Sequence, residues 1–321
     1  MIFNGKRNSN SNEPPAPYEA PINVRQIANL PYGKGGAMAD YFEPMALTRS
    51  DDAPDKSALC LAVVFYDDPY EGTRADVVPL AMELARRGMA VYALGLSHAA
   101  ATDEPFFTEQ LNGVFEFLAD LAADKHRLDL RCRRYGASQG NRVVFVGCGT
   151  GATLASLCMR MHYNARLREY FAARCPAVRA YFGMGATPTV DFQNLIRIGG
   201  FVSVFGNLRP LSEANIHVYD GWFGRGFERT KLASLLDAAR WVDDDYPPMV
   251  LLTSSADPNR EGTLSFRDAL PREVCCRLLD LPSADEEGHV LERLFNVRYP
   301  LWEKSRSINS QLVSICKEWG D

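Results

Sequence analysis

Short apolar runs alternate with amphipathic segments along most of the 321-residue chain. Apolar runs of about four to eight residues bounded by turn residues indicate buried strands, whereas an apolar period of about 3.6 residues indicates helices. The pattern predicts strands at 24–30, 39–45, 58–66, 89–94, 178–184, 249–253 and 274–281, and one more that ends near residue 148. It predicts helices at 73–87, 106–124, 259–269 and 307–319. Strands that alternate with helices in this way predict a mainly parallel sheet covered on both faces.

The strand that ends near residue 148 runs into the sequence GCGTG at 147–151 and then into a helix rich in small residues. This strand–turn–helix pattern is typical of a nucleophile elbow, which has glycines two residues before and two residues after the nucleophile. Gly147 and Gly151 occupy those flanking positions, where glycine gives the sharp turn room. Cys148 and Thr150 complete the turn. The central residue is Gly149, which has no side chain, so we predict an elbow without its nucleophile.

Three stretches carry a resemblance to the α/β-hydrolase family, in particular to its carboxylesterase and hormone-sensitive-lipase-like branch. They are a helix and strand at 72–94, the elbow at 141–157, and the stretch 246–260 together with DEEGHV at 285–290. The resemblance spans residues 25–320. It implies a central, mostly parallel sheet with helices on both faces and an inserted cap, for which the glycine- and aromatic-rich stretch at 188–237 is the candidate. It also implies a pocket for a small, ester-like ligand.

The resemblance implies an acid and a base for the site. The family takes its acid from the end of a late strand, where this chain has Asp257, and its base from beyond the next strand, where it has His289. The order nucleophile, acid, base along the chain is then preserved. Such a base accepts the proton of a hydroxyl nucleophile, and the acid fixes the imidazole tautomer. With Gly149 in the first position, the pair has nothing to activate.

The stretch expected to form the oxyanion loop also departs from the family. The family has a His-Gly-Gly stretch there, whose backbone N–H groups face the developing negative charge. This chain has Tyr66, Asp67 and Asp68, followed by Pro69 and Glu71. Proline lacks an N–H, and neighbouring carboxylates oppose an oxyanion. Two altered parts of the same machinery indicate a natural loss of acyl-transfer chemistry.

Other residues compete for the role of nucleophile. Ser138 lies in GASQG at 136–140, which matches G-x-S-x-G letter for letter but precedes the strand instead of following it. Cys148 and Thr150 are next to the central position, but their side chains are expected to point away from the tip of the turn. We therefore treat Ser138 as the first alternative nucleophile.

The acidic residues Asp67, Asp68 and Glu71 could also gather around a metal with Asp257 or His289. A solvated acidic loop is the favoured interpretation, and no metal or cofactor is expected.

Composition narrows the classes of partner. The net charge of −5 gives no electrostatic case for nucleic acid binding, and no apolar run is long enough for a membrane span. The polar start of the chain predicts a disordered leader at 1–22 and a single domain at 23–321. It also lacks the apolar core of a signal peptide, and the eight cysteines are scattered. We therefore expect reduced thiols and a cytoplasmic location.

Three hypotheses for function remain open. The favoured one is a catalytically degenerate, esterase-like protein (a pseudoenzyme) that retains a ligand pocket. The alternative is an active carboxylic ester or amide hydrolase that uses a non-standard nucleophile such as Ser138. The third is a structural subunit, a homo-oligomer or a partner of another chain, whose pocket is filled by its own side chains. The same scaffold hosts many roles, so the fold alone does not choose among them.

Overall fold

The structure of the chain is a computed structural model that describes residues 19, 21–32, 37–45, 60–67, 74–95, 106–122, 143–149, 151–185, 201–204, 207–210, 234–235, 237–240, 242 and 245–319. The strands are β1 Val24–Tyr32, β2 Ala37–Pro44, β3 Leu61–Asp67, β4 Ala90–Gly95, β5 Val143–Gly149, β6 Val178–Met184, β7 Phe201–Val204, β8 Asn207–Pro210, β9 Met249–Ser254 and β10 Cys276–Leu281. The helices are α1 Arg74–Arg86, α2 Phe106–Ala122, α3 Gly151–Tyr163, α4 Ala165–Phe171, α5 Arg260–Ala269, α6 Phe295–Arg298 and α7 Glu303–Glu318.

Eight strands form one sheet in the order β1-β2-β4-β3-β5-β6-β9-β10. The pairs β1–β2 and β2–β4 are antiparallel, and every later pair is parallel. The carboxyl ends of β3, β5, β6, β9 and β10 therefore meet at one edge. In open α/β sheets, ligands bind outside this edge. The predicted parallel sheet is confirmed, and this edge is where a site is expected.

Helices cover both faces of the sheet. On one face, Val63 of β3 belongs to the same buried cluster as Leu118 of α2 and Leu157 of α3. On the other face, its neighbour Val64 belongs to the cluster that contains Leu80 of α1, and α6 and α7 pack there too. Because successive residues of a strand point to opposite faces, the central strands are apolar at nearly every position. This is why they were predictable as uninterrupted apolar runs.

The predicted element bounds agree with the structure within a few residues, and two kinds of difference remain. Helix α7 begins at Glu303, about one turn before the predicted start at 307. The short helices α4 and α6 and the β7–β8 hairpin were not predicted. The hairpin falls within the predicted cap at 188–237, most of which lies outside the described residues, as does most of the predicted leader. Among the described helices, none is long and apolar enough to cross a membrane.

Candidate active site

The glycines at the junction of β5 and α3 lie in unusual backbone positions. Gly149 ends β5 with a φ of +61°, in the left-handed region that non-glycine residues rarely adopt. A Cβ added to Gly147 would lie 2.4 Å from the Cα of Ala152, and one added to Gly151 would lie 2.3 Å from the carbonyl oxygen of Phe65. Both flanking positions therefore require glycine, because α3 begins in direct contact with β5 and β3. Gly149, the residue predicted for the central position, thus has a left-handed backbone and no side chain.

Cys148 is fully buried, in the cluster on the α1 face of the sheet. Burial raises the pKa of its thiol far above the ordinary value, so the thiol stays protonated. A buried, protonated thiol is a poor nucleophile, and this geometry agrees with the expectation that Cys148 points away from the tip of the turn. Thr150 and Ser138 lie outside the described residues.

The end of β3 lies beside the elbow. In the β3–β5 pair, Tyr66 is opposite Cys148, and Asp67 is opposite Gly149. The Tyr66 hydroxyl donates a hydrogen bond to Oδ2 of Asp76 in α1, at 3.2 Å. The chain therefore leaves β3 at the place where an oxyanion loop would begin. Asp68 and the residues up to 73 lie outside the described part of the chain.

Asp257 lies in the turn between β9 and α5 and is 6% exposed. Its Oδ2 accepts a hydrogen bond from the Thr253 hydroxyl at 3.1 Å, and its Oδ1 accepts one from the backbone N–H of Asn259 at 2.8 Å. Burial raises the pKa of this carboxyl, although the Asn259 N–H, the charge of Arg293 and the Thr253 hydroxyl all lower it. The net result is a pKa above the ordinary value.

A recess lies beside Asp257 at the carboxyl edge of the sheet. It encloses about 190 Å³, open solvent included, and its lining includes Gly185 after β6 and Arg293. Gly185 has a φ of +54°, and a Cβ there would lie 2.6 Å from Cγ of Arg293. Arg293 thus fills the space next to both Gly185 and Asp257.

His289 lies on the loop after β10, with its side chain 30% exposed. Its Nδ1 is 3.0 Å from Oδ2 of Asp285 and 3.3 Å from Oε2 of Glu287. The imidazole stacks on the indole of Trp302, with ring centroids 4.2 Å apart and planes 12° from parallel. Within the described residues, no hydrogen bond joins His289 to Asp257. The structure therefore brings His289 together with Asp285, a residue that the sequence analysis did not single out.

The loop that holds this pair is locally hydrogen-bonded. Oδ1 of Asp285 accepts from the backbone N–H of Glu287 at 3.0 Å and from that of His289 at 2.8 Å. The backbone N–H of Asp285 in turn donates to the carbonyl oxygen of His289 at 3.0 Å. Gly288 completes the turn with a φ of +84°. The spacing Asp-x-x-x-His with a glycine before the histidine was the sequence signal for this turn.

The electrostatics of this loop favour an ionised Asp285. Burial alone would raise the pKa of Asp285, but hydrogen bonds from the ring and the backbone of His289 and from the backbone of Glu287 outweigh it. The pKa therefore lies below the ordinary value, and the carboxylate is charged at neutral pH.

The donor atoms of Asp285, Glu287 and His289 lie within 4.8 Å of one another, close enough for one cation to contact all three. A proton on Nδ1 that points towards both carboxylates accounts for the same convergence. We therefore assign no metal to this cluster.

No protein-family profile matches the chain, and no curated protein sequence matches it. Solved structures do match. Esterase B from Lactobacillus rhamnosis is similar with a TM-score of 0.71 and 16% identity, over 94% of this chain and 88% of that one. Esterase LipW from Mycobacterium marinum gives a TM-score of 0.61 and 16% identity, over 92% and 81%. A hormone-sensitive lipase from a metagenome library gives 0.60 and 12%, over 94% and 88%. Identities this low bear on the fold alone.

Proposed function

Because the chain has the α/β-hydrolase fold, shared with esterases and a hormone-sensitive lipase, we propose that it is an esterase-like protein that does not form an acyl-enzyme at its elbow. The proposal also includes a pocket that is kept for a small, ester-like ligand. The observation that supports the proposal is the left-handed backbone of Gly149, which has no side chain to serve as a nucleophile at the position predicted to be the centre of the elbow. Acyl transfer by this fold needs a hydroxyl or thiol at that point.

The surroundings of Gly149 support a retained site. The close contacts at Gly147 and Gly151 hold the start of α3 tightly against β5 and β3. We expect a side chain introduced at 149 to project from the tip of this turn. His289 lies on the loop after β10, at the same edge of the sheet, with a carboxylate on its Nδ1. A base prepared in this way is of use where a proton is to be accepted or where a polar ligand is to be bound.

The test is labelling of the purified protein with a fluorophosphonate, followed by mass spectrometry to locate any adduct. We expect no adduct on the wild type and an adduct on the introduced serine in Gly149→Ser, because its hydroxyl would stand at the elbow tip. Gly149→Ala is the matched control, since it adds the same Cβ and the same positive-φ strain without a hydroxyl.

Each other outcome contradicts part of the proposal. An adduct on wild-type Ser138 would establish the alternative, an active hydrolase with a non-standard nucleophile. Gly149→Ser that folds but takes no label would contradict the retained site. Ligand binding is tested separately by the rise in melting temperature with a butyrate ester, which a structural subunit with a filled pocket would not show.

A cytoplasmic location and assembly into a homo-oligomer remain proposals with tests of their own. Light scattering of the purified protein gives the mass in solution, and fractionation of the source cells gives the location. A monomer at all concentrations tested would contradict the oligomer.

A further inference from the structure

We propose that Asp285, and not Asp257, is the positioning residue that fixes the tautomer and orientation of His289. This inference deepens the proposed function, on which it rests in one respect: that function retains His289 as the base of the site. It moves the acid from the end of β9 to the loop after β10, four residues before the base.

The first argument is the hydrogen bond itself. Nδ1 of His289 and Oδ2 of Asp285 are 3.0 Å apart, an ordinary distance for an N–H donor and a carboxylate acceptor. A neutral imidazole carries one N–H, so a proton held on Nδ1 leaves the lone pair on Nε2. Nε2 makes no hydrogen bond within the described part of the chain. This is the tautomer that a base needs in order to accept a proton from a hydroxyl.

The second argument is the rigidity of the carboxylate. The Asp285 side chain is 8% exposed, and its other oxygen accepts two backbone N–H groups, those of Glu287 and His289. The carboxylate therefore cannot rotate without breaking hydrogen bonds in its own loop. Glu287 approaches the same Nδ1 at 3.3 Å, but its side chain is 55% exposed and is the less constrained of the two partners.

The third argument is the plane of the ring. His289 stacks on Trp302, and Trp302 stacks on Tyr299 with centroids 4.1 Å apart and planes 3° from parallel. A stack of three rings restricts the rotation of the imidazole about its Cβ–Cγ bond. Asp285 and the stack together fix both the direction of the N–H and the plane in which it lies.

Asp257 has other partners. Its two oxygens accept hydrogen bonds from the Thr253 hydroxyl and the Asn259 backbone, which hold together the turn from β9 into α5. Arg293 supplies the positive charge next to it. These contacts account for a buried carboxylate without a role for His289.

The test uses the different partners of the two Asp285 oxygens: Oδ1 accepts backbone N–H groups, whereas Oδ2 faces Nδ1 of His289. In Asp285→Asn, the amide oxygen is expected to keep the two backbone N–H groups that Oδ1 now accepts. The amide NH₂ would then face Nδ1 of His289 and, being a donor, would force the proton onto Nε2. We expect ¹⁵N–¹H NMR of the neutral imidazole to show Nδ1–H in the wild type and Nε2–H in Asp285→Asn. The signals of His289 are assigned as those that disappear in His289→Gln. EDTA is present in all samples to exclude bound metal.

Asp257→Asn tests the competing assignment, in which Asp257 positions His289. Asp280→Asn is the matched control, since Asp280 pairs with Arg260 on the surface. A change of tautomer in Asp257→Asn without one in Asp285→Asn would overturn the inference. An Nε2–H signal from His289 in the wild type would overturn it as well.

Labelling adds a functional readout. In the Gly149→Ser background, Asp285→Asn is expected to slow fluorophosphonate labelling by roughly 10²- to 10⁴-fold, the scale of an acid that sets the tautomer of its base. A loss of labelling with Asp257→Asn instead would overturn the inference. If Gly149→Ser itself takes no label, the retained site of the proposed function fails, while the NMR result still decides between Asp285 and Asp257.

Discussion

The start of α3 offers the sharpest test of the elbow geometry. Gly151 opens this helix, and a Cβ built on it would lie 2.3 Å from the carbonyl oxygen of Phe65, 2.6 Å from its carbonyl carbon and 2.9 Å from the backbone nitrogen of Tyr66. All three atoms belong to the backbone of β3, a central strand. They have no side-chain rotamer that could relieve the contact.

The cost of Gly151→Ala follows from these distances. Favourable van der Waals contacts between heavy atoms are about 3.5 Å long, so α3 and β3 would have to move apart by roughly 1 Å at this point. Overpacking of a close-packed core costs about 1–3 kcal/mol and occasionally more. Because the opposing atoms are backbone, we expect the upper end, about 3 kcal/mol of unfolding free energy. Gly151 does not have a positive φ, so strain of the φ angle adds nothing.

The assay is urea unfolding followed by far-UV circular dichroism, with Gly288→Ala as the control. Gly288 has a φ of +84°, but no atom lies within 4 Å of its added Cβ, so only the backbone term of about 1–2 kcal/mol applies. Gly151→Ala should therefore be clearly the less stable variant. If the free energy of unfolding of Gly151→Ala is within about 1 kcal/mol of the wild-type value, α3 and β3 are not in the close contact described here.

Three further predictions concern the two acids and the ring stack. The pKa of Asp257 is raised in the folded protein, so the free energy of unfolding should fall as pH rises from the ordinary carboxyl pKa through the raised one. Urea titrations between pH 3 and 7 should show this fall in the wild type and a smaller change with pH in Asp257→Asn. The pKa of Asp285 is lowered, so its effect on stability has the opposite pH dependence: the stabilisation is present above the ordinary carboxyl pKa and is lost as pH falls through the lowered one. The melting temperatures of the wild type and Asp285→Asn should therefore differ most at neutral pH and converge in acid. Trp302→Leu removes the indole that stacks on His289. When combined with Gly149→Ser, this substitution should slow fluorophosphonate labelling without abolishing it. An unchanged rate would show that the stack does not position the imidazole ring.

The strands were predictable because burial on both faces leaves a strong signal. Residues 178–184 were predicted as a strand and form one with the same bounds. The sequence GCGTG likewise predicted a sharp turn, and the positive φ of Gly149 agrees with it. In both places the pattern of neighbouring residues was enough to predict the structure, although distant elements such as β3 supply the contacts.

The missed elements depend on weaker signals. Helix α4 has only seven residues, and it begins where the side chain of Asn164 accepts hydrogen bonds from the backbone N–H groups of Arg166 and Leu167. That asparagine cap was its sequence signal. The β7–β8 hairpin lies in a stretch of glycines and aromatics without clear alternation.

The partner of His289 was harder to foresee than the strands. The choice between Asp257 and Asp285 depends on the path of the loop after β10, which is set by backbone hydrogen bonds around Gly288 and by the stack on Trp302. Neither contact has a periodic signature along the chain. The order of residues in the family that the sequence resembles pointed to Asp257, whereas the local turn brings Asp285 to the ring.

The central claim is that Gly149 leaves the elbow without a nucleophile. The most direct measurement is hydrolysis of a butyrate ester by the wild type, beside His289→Ala and a buffer blank. We predict that both proteins hydrolyse the ester no faster than the blank. Wild-type turnover that disappears in His289→Ala would contradict the claim, because it would require a working nucleophile elsewhere in the chain, with Ser138 the first to examine.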